Sequence, residues 1–449
     1  MRVSSATGIF TRLQRALVVA FACLCPMVLI SCNTGKGVTD ETSQHAALRI
    51  VNLVFNAGGP ITVFLDSDTV VSGLAFEGQT SYQQIGIGIK TIQPTVPSTS
   101  SNVVSSTVAN FLGATNYTYV AFGPAGNATS ILLNDSTVDP GAGNFGFRLL
   151  NASIGSGPLD IYITPPGASL DVATPVIAAV APGSNSGFVL IPAGNIEIRV
   201  TPANSKEIIF DSLPQTIAER ALIDGVIYAR GSGRLVNVAL LNIDNVGTGR
   251  IVNNLLAQFK VVNGSSVASP LNVFVNHELV LSNLPFTGAS GYRKTAAGTP
   301  TLTVEATATP GATLLALTPN LVPATDSSIV LTGPAGALQS LVLTDNNLPP
   351  AVARARVRFV NSSTDVAAID VFVNFSRQVA SLAMNTASLG VEFDADPTLG
   401  TSYEIDFNVS GSTLTSLSLP AVTLTGGHSY SVYLVGSRTA LAALVTQDN

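Results

Sequence analysis

The feature that most constrains the fold of this 449-residue chain is a fourfold internal repeat. Each repeat opens with a basic residue, two apolar residues and an asparagine, at Arg49–Asn52, Arg148–Asn151, Lys260–Asn263 and Arg358–Asn361. An alternating segment follows, at Ile61–Asp66, Leu159–Thr164, Leu271–Asn276 and Ile369–Asn374. An apolar run closed by an aspartate ends each repeat, at Asp135, Asp244, Asp345 and Asp448. Three markers that recur in the same order indicate tandem copies of one supersecondary unit.

The pattern within each repeat predicts β-sandwiches. Short alternating runs are separated by Gly, Pro, Asn and Ser, and alternation places one face of a strand on a core and the other in water. Several such strands in about 100 residues are typical of a sandwich. Hydrophobic residues make up 46% of the chain and charged residues 11%, which favours packed sheets over disorder. We therefore predict an all-β fold of four tandem immunoglobulin-like antiparallel β-sandwich domains.

The markers also set the domain boundaries. They predict a signal peptide at 1–31, a flexible tether at 32–46 and β-sandwich repeats at 47–135, 146–245, 257–345 and 354–449. The linkers between repeats are short and rich in Pro, Gly and Asn, so we expect a semi-rigid rod of repeats.

The amino terminus has the layout of a secretory signal. Arg2, Arg12 and Arg15 precede the apolar run ALVVAFACLCPMVLI, which is shorter than the roughly 20 residues of a membrane span. The run ends at Leu29, Ile30, Ser31 and Cys32, which resemble a bacterial lipobox. That resemblance implies cleavage before Cys32 and acylation of its sulfur and amino group, which anchors a protein to a bilayer. The alternative is an ordinary secretory signal in which Cys32 is incidental.

Cysteine content and charge narrow the functional classes. The other cysteines, Cys23 and Cys25, lie in the signal peptide, so the mature chain has no disulfide, thiolate metal cluster or cysteine nucleophile. Asn33, in place of an aspartate, favours the outer membrane of a Gram-negative bacterium over the inner one. Acidic residues outnumber basic ones by 27 to 21, which argues against nucleic acid as a partner. The sequence indicates no cofactor and no metal site.

The fourth repeat carries a family resemblance. Its opening RFVNSSTDVAAIDVFVN (358–374) and its closing GGHSYSVYLVG (426–436) resemble the bacterial "domain of unknown function 4397" family. The resemblance implies a β-rich repeat and brings no catalytic residues, because none are assigned in that family.

Several polar residues recur at matched positions. For Asn52, Asn151, Asn263 and Asn361 we favour a backbone cap over ligand binding. Asp160 and Asp370 lie within the second strand, where Thr62 and Asn272 stand in the other repeats. For the closing aspartates we favour solvation at a strand end, with Ca²⁺ binding left open. Tyr117, Tyr119, Tyr430 and Tyr433 would suit sugar binding if exposed, but alternating positions favour packing into the fold.

These observations favour a non-catalytic, lipid-anchored cell-envelope protein whose repeats serve adhesion, scaffolding or spacing. Its expected contacts are the membrane, through the lipid, and an envelope protein or polysaccharide. Two alternatives stay open: a carbohydrate-binding surface lipoprotein, and a hydrolase whose site is not visible in sequence.

Lipidation gives the first testable prediction. Intact-mass spectrometry of membrane-fraction protein should show an amino-terminal peptide that begins at Cys32 with a diacylglyceryl mass. Cys32→Ala should abolish both this mass and membrane association. Unmodified soluble wild-type protein, cleaved elsewhere, would contradict the lipobox assignment.

Overall fold

The computed structural model describes residues 45–97, 101–135, 139–243, 249–266, 269–333 and 336–449. The predicted signal peptide, the predicted lipobox residues and Asp244 lie outside these ranges. The described residues form strands and turns and contain no helix, which confirms the predicted all-β class. Accordingly, these ranges contain no helix long and apolar enough to cross a membrane.

The described residues of the first two repeats form nineteen strands. The strands of repeat 1 are β1 (His45–Phe55), β2 (Ile61–Leu65), β3 (Asp68–Leu74), β4 (Gln83–Gly86), β5 (Gly88–Val96), β6 (Ser101–Asn102), β7 (Thr107–Phe111), β8 (Asn116–Pro124) and β9 (Thr129–Asn134). The strands of repeat 2 are β10 (Asn144–Ala152), β11 (Leu159–Thr164), β12 (Ile177–Val180), β13 (Val189–Pro192), β14 (Gly194–Pro202), β15 (Phe210–Asp211), β16 (Gln215–Ile217), β17 (Leu222–Tyr228), β18 (Asn237–Asn242) and β19 (Arg250–Val252).

The other two repeats follow the same plan. The strands of repeat 3 are β20 (Leu256–Asn263), β21 (Leu271–Val275), β22 (Glu278–Leu284), β23 (Gly288–Ala289), β24 (Arg293–Ala296), β25 (Leu302–Ala306), β26 (Thr313–Leu317), β27 (Asp326–Thr332) and β28 (Gln339–Asp345). The strands of repeat 4 are β29 (Arg354–Ser363), β30 (Ala368–Val373), β31 (Ser376–Ala383), β32 (Thr386–Ala387), β33 (Val391–Asp394), β34 (Thr401–Val409), β35 (Thr415–Leu424), β36 (Ser429–Ser437) and β37 (Ala440–Gln447).

Each repeat contributes two sheets. We call the sheet that contains the opening strand sheet I and the sheet that contains the next strand sheet II. The sheet I orders are β4-β1-β8-β9, β13-β10-β17-β18-β19, β23-β20-β27-β28 and β32-β29-β36-β37, with β24 and β33 also paired to β20 and β29. The sheet II orders are β3-β2-β5-β6, β12-β11-β14-β15, β22-β21-β25-β26 and β31-β30-β34-β35, with β7 and β16 also paired to β5 and β14.

The strand order differs from the immunoglobulin arrangement that the sequence suggested. In immunoglobulin domains the first two strands share one sheet. Here they lie in opposite sheets, and the opening strand pairs in parallel with a strand near the end of the same repeat, as β1 does with β8. Within the described residues, each of the four repeats has this one parallel pair, and the other strand pairings are antiparallel. Alternation predicts that strands exist but says nothing about which of them pair.

The two sheets of each repeat enclose an apolar core. In repeat 1 this core includes Leu48, Ile50, Ile61, Val63 and Tyr119, all fully buried. Corresponding clusters fill repeats 2, 3 and 4. Alternation along the opening and second strands supplies these side chains, so the amphipathic pattern in the sequence accounts for the sandwich.

Neighbouring repeats also pack face to face, which differs from the rod expected from the linkers. The outer faces of sheets I from repeats 1 and 2 share an apolar cluster that includes Val51, Leu53, Phe122, Leu150 and Tyr228. Repeats 3 and 4 share a second cluster, built around Val262, Val330, Val360, Tyr433 and Val435. Because both faces of these sheets are covered, their central strands are apolar on both sides.

A bulge in the third strand of each repeat explains the polar residue within the second strand. The bulged residue has a positive φ, and it is Gly73, Ala179, Asn283 or Ser381 in repeats 1 to 4. In repeats 2, 3 and 4 its backbone N–H donates to the side chain of Asp160, Asn272 or Asp370, at 2.7, 3.0 and 2.7 Å. Repeat 1 has Thr62 at this place, and its bulge has glycine, which adopts a positive φ without steric cost. Asp160 and Asp370 are therefore bulge-holding residues.

A double-mutant cycle tests this role. Asp370→Ala should lower the free energy of unfolding by about 1–3 kcal/mol, because the Ser381 N–H loses its acceptor. Ser381→Gly should recover about 1 kcal/mol in that background, because glycine removes the cost of the left-handed conformation. Urea unfolding of the two single variants and the double variant measures the coupling. A Ser381→Gly variant that is destabilised in both backgrounds would contradict the assignment.

Candidate functional site: buried ion networks between paired repeats

The basic residue that opens each repeat and the aspartate that closes it meet between paired repeats. Arg49 and Arg148 extend from the opening strands β1 and β10, and Asp135 follows the closing strand β9. These side chains are almost completely buried, with 2%, 6% and 2% of their residue surfaces exposed. A charge buried to this degree requires a partner of opposite sign.

In repeats 1 and 2, Arg148 forms the centre of the network. Its guanidinium donates to Asp135 at 2.6 Å and to both carboxylate oxygens of Asp224 at 2.7 and 2.9 Å. Burial alone would lower the pKa of Arg148, but the contacts with Asp224 and Asp135 outweigh burial and raise it. Burial raises the pKa of Asp224 to about 6, and the two bonds from the Arg148 guanidinium oppose the rise by favouring the ionised carboxylate.

The two arginines exchange contacts across the interface. Arg49 of repeat 1 donates from Nη1 to the carbonyl of Asn242 in repeat 2 at 2.6 Å. Arg148 of repeat 2 donates from Nη1 to the carbonyl of Asn134 in repeat 1 at 2.7 Å. Each carbonyl belongs to the last residue of a closing strand, so each arginine ties its own opening strand to the end of the other repeat. Arg49 also donates to the Thr118 hydroxyl at 2.8 and 3.0 Å.

A tyrosine completes the coordination of Asp135. The Tyr82 hydroxyl donates to Asp135 Oδ2 at 2.6 Å, and the Thr118 hydroxyl donates to the same oxygen at 2.5 Å. Burial, followed by the charge of Asp135, raises the pKa of Tyr82, so the hydroxyl keeps its proton and acts as a donor. The guanidinium carbon of Arg49 lies 4.7 Å from the centre of the Tyr82 ring, a favourable cation–π contact.

Repeats 3 and 4 build a matching network. Arg358 pairs with Asp345 at 2.7 Å, and the ammonium of Lys260 contacts Asp448 and the Thr446 hydroxyl. Tyr292 donates to Asp345 at 2.5 Å, as Tyr82 does to Asp135. The second interface therefore has the same plan, with buried cations, closing aspartates and a tyrosine donor, although Lys260 takes the place of an arginine.

These contacts correct the expectation of solvated closing aspartates. Asp135, Asp345 and Asp448 are buried, and their carboxylates contact cations and hydroxyl groups of the protein; Asp244 lies outside the described residues. Within the described ranges, no three His, Cys, Asp or Glu side chains are grouped so that they could hold a metal. The sequence shows that a basic residue opens each repeat and an aspartate closes it. It does not show that these two side chains are in contact across neighbouring repeats.

The four shared asparagines cap the backbone as predicted. Each side-chain oxygen accepts the N–H two residues later, at 3.1 Å for Asn52, Asn151 and Asn263 and 3.3 Å for Asn361. Each side-chain nitrogen also donates to a carbonyl at the end of the third strand, on Leu74, Val180, Leu284 or Leu382. The asparagines therefore tie sheet I to sheet II, a contact that the sequence did not reveal.

The four candidate tyrosines pack into the fold. Tyr117, Tyr119, Tyr430 and Tyr433 are all buried, so they form no sugar-binding platform on the surface. The hydroxyls of Tyr117 and Tyr430 accept the backbone N–H groups of Leu112 and Thr425, five residues upstream. This contact resembles the tyrosine corner of other β-sandwiches.

A further polar contact joins the two pairs of repeats. The carboxylate of Asp326 in repeat 3 accepts the Ser232 hydroxyl at 2.7 Å and the Gly233 N–H at 3.2 Å, both from repeat 2. The Asn347 side chain donates to it at 2.8 Å. Burial raises the pKa of Asp326 to about 6, and these neutral donors oppose the rise.

Beside this junction, a groove of about 620 Å³ lies between repeats 2 and 3. Leu213 and Ile251 provide apolar walls, and Gln215, Asn253 and Asn320 provide amide groups. Its volume is within the range of small-molecule sites, about 300–1,000 Å³. The described residues that line it include no carboxylic acid, so it offers apolar contacts and amide hydrogen bonds rather than an acid pair for glycoside hydrolysis.

The network gives a stability prediction with a matched control. Arg148→Met should lower the free energy of unfolding by about 3–5 kcal/mol, because it leaves Asp135 and Asp224 buried without their main cation. Arg220→Met removes an ion pair with Asp139 in which Nη1 contacts both carboxylate oxygens; these side chains are 54% and 67% exposed, so the loss of stability should be far smaller than for Arg148→Met. Urea unfolding measures both variants, and equal losses would contradict a special role for the buried network.

Comparison with known proteins places the chain in a family. The family model "Domain of unknown function (DUF4397)" matches residues 46–162 and 257–372, together just over half of the chain. The chain is similar to the solved structure of the Bacillus anthracis TIE protein, with 11% identity and a TM-score of 0.14 over 64% of this chain and 50% of that one. It is also similar to a leucine-rich repeat protein from Bacteroides thetaiotaomicron VPI-5482, with 9% identity and a TM-score of 0.14 over 43% of this chain and 26% of that one. The chain thus spans half or less of either protein, and no curated protein matches significantly. The family matches show that the chain belongs to the DUF4397 family, and this resemblance was visible in the sequence.

Proposed function

We propose that this chain is a non-catalytic, lipid-anchored protein of the bacterial cell envelope. Its paired repeats would form a rigid module for adhesion, scaffolding or spacing, held to the outer membrane by a lipid on Cys32. The DUF4397 repeats and the β-rich fold fit a surface or extracellular module. The observation that carries the proposal is the pair of buried ion networks that join neighbouring repeats.

The networks favour a mechanical role because they fix the geometry between repeats. An apolar interface tolerates small sliding movements, whereas Arg148 bonded to Asp224, Asp135 and the Asn134 carbonyl tolerates only one register. A protein that spaces or presents surfaces needs such fixed geometry.

The bonds made by the shared polar residues also support a structural role. The four asparagines hold the two sheets together, Asp160 and Asp370 hold bulges, and Asp135, Asp345 and Asp448 join repeats. A catalytic acid, base or nucleophile must instead reach a substrate. The polar residues that recur most regularly in this sequence are engaged within the protein.

The proposal is tested in cells and with purified protein. A strain that lacks the protein should change in attachment or envelope spacing, and wild-type protein, but not Cys32→Ala, should restore it. Full restoration by a soluble Cys32→Ala variant would show that anchoring is not required. Release of soluble sugars or peptides from purified envelope by the chain would contradict a non-catalytic function and favour the hydrolase alternative.

A further inference from the structure

Repeat 1 carries four exposed aliphatic side chains close together in sequence. Ile87 is 49% exposed, Ile89 76%, Val108 67% and Leu112 56%. We call these four residues the apolar corner. Large aliphatic side chains that are exposed singly are normal on a protein surface, but a group of them indicates an interaction site.

Strand register places the apolar corner on one face of sheet II. In the antiparallel pair of β5 and β7, Gly88 lies opposite Phe111, Ile89 opposite Asn110 and Thr91 opposite Val108. Phe111 is buried, so the neighbouring position Leu112 faces outward, as do Asn110 and Val108. Ile89 lies diagonal to Val108 across this pair, and Ile87 and Leu112 directly adjoin its last paired residues, Gly88 and Phe111.

The chain enters repeat 1 beside this corner. His45, the first residue of β1, lies opposite Gly86, and its carbonyl accepts the N–H of Ala114 at 2.9 Å. Gly86 precedes Ile87, and Ala114 is two residues after Leu112. The segment that precedes His45 therefore joins repeat 1 at its apolar corner.

The other repeat pair lies at the far end of β1. This strand has 11 residues, or roughly 35 Å at about 3.3 Å per residue. Asn56, just after its carboxyl end, lines a cavity with Arg356 and Tyr430 of repeat 4. Repeats 3 and 4 consequently meet repeat 1 at the end opposite the corner.

The length of chain before His45 sets how far the corner can lie from Cys32. The thirteen residues from Cys32 to Gln44 span at most about 45 Å when fully extended. A lipid on Cys32 therefore keeps the corner end of repeat 1 within about 45 Å of the bilayer, and repeats 3 and 4 lie at the opposite end of β1.

We propose that the apolar corner rests on the lipid bilayer that anchors Cys32. This inference depends on the lipid anchor of the proposed function and adds an orientation to it. Ile87, Ile89, Val108 and Leu112 would enter the interface between headgroups and acyl chains, where buried apolar area stabilises contact with the membrane. The molecule then stands on repeat 1 and directs repeats 3 and 4 away from the membrane.

The test uses the full lipidated chain in phosphatidylcholine vesicles that carry a lipid-borne fluorescence quencher. With Cys32 acylated and Cys23 and Cys25 removed in the signal peptide, Ile89→Cys is the single free thiol for an environment-sensitive label. Leu414→Cys in repeat 4 is the matched control, since its side chain is equally exposed at 76%. We expect the lipid-borne quencher to reduce fluorescence from position 89 several-fold and to leave position 414 unchanged. Ile87→Ser with Leu112→Ser should remove most of the quenching at position 89, and unchanged thermal unfolding would confirm that this variant is folded.

The possible outcomes distinguish docking of the apolar corner from anchoring by the lipid on Cys32. Protein that floats with the vesicles and shows no quenching at position 89, or equal quenching at both positions, overturns the docking and leaves the anchor in place. A label at position 89 that is shielded from an aqueous quencher but not reached by the lipid-borne one shows that protein covers the corner, which also overturns the docking. Protein with an unmodified Cys32 that does not float overturns the anchor, and the docking with it.

Discussion

The contact between the opening cation of one repeat and the closing aspartate of its partner is the interaction on which this architecture depends. Removing an arginine and a carboxylate from water costs several kcal/mol for each ion, and only a close, well-bonded partner offsets that cost. Arg148 of repeat 2 bonds to Asp135 of repeat 1 as well as to Asp224 of its own repeat, so the buried charges of the two repeats are balanced jointly. Folding and pairing are therefore coupled: a repeat that loses its neighbour exposes an apolar face and leaves a charge without its partner.

The two networks reach the same result with different residues. In each repeat, the opening cation is paired in register with one residue of the parallel neighbouring strand. This residue is Thr118, Asp224, Ser328 or Ser431 in repeats 1 to 4. Three of these are hydroxyls that bond to a closing aspartate. Only repeat 2 has a second acid, Asp224, and it accepts two bonds from Arg148. Among the described residues, the network of the first pair thus contains two arginines and two carboxylates, and the network of the second pair contains Lys260 and Arg358 with Asp345 and Asp448.

The sequence predicted much of this architecture and missed the pairing for physical reasons. Alternation in the second strands correctly predicted the sandwiches, and the position of Asn52 and its counterparts correctly predicted backbone caps. The parallel contact of β1 with β8 joins residues about 70 positions apart, and periodicity carries no information at that distance. Val51 and Leu53 could have revealed the second buried face, because they make the run from Leu48 to Phe55 almost continuously apolar, as expected for a strand covered on both sides. The cross-sheet bonds of the asparagines depend on carbonyl positions that only the folded structure defines.

The networks also affect which of the four outer sheet I faces pack against each other. Apolar contact is not directional, so Val51, Leu150, Val262 and Val360 would each pack against any of the other sheet I faces. A mismatched pair of repeats would leave a buried charge without a partner, which is costly. Buried ion pairs therefore contribute more to the specificity of pairing than to its stability. Repeat 2 with Asp224 needs a face that brings an additional cation, and Arg49 of repeat 1 supplies it within 3.9 Å of that carboxylate. In the first pair of repeats Arg49 and Arg148 thus balance Asp135 and Asp224, and each cation lies within 4.0 Å of both carboxylates.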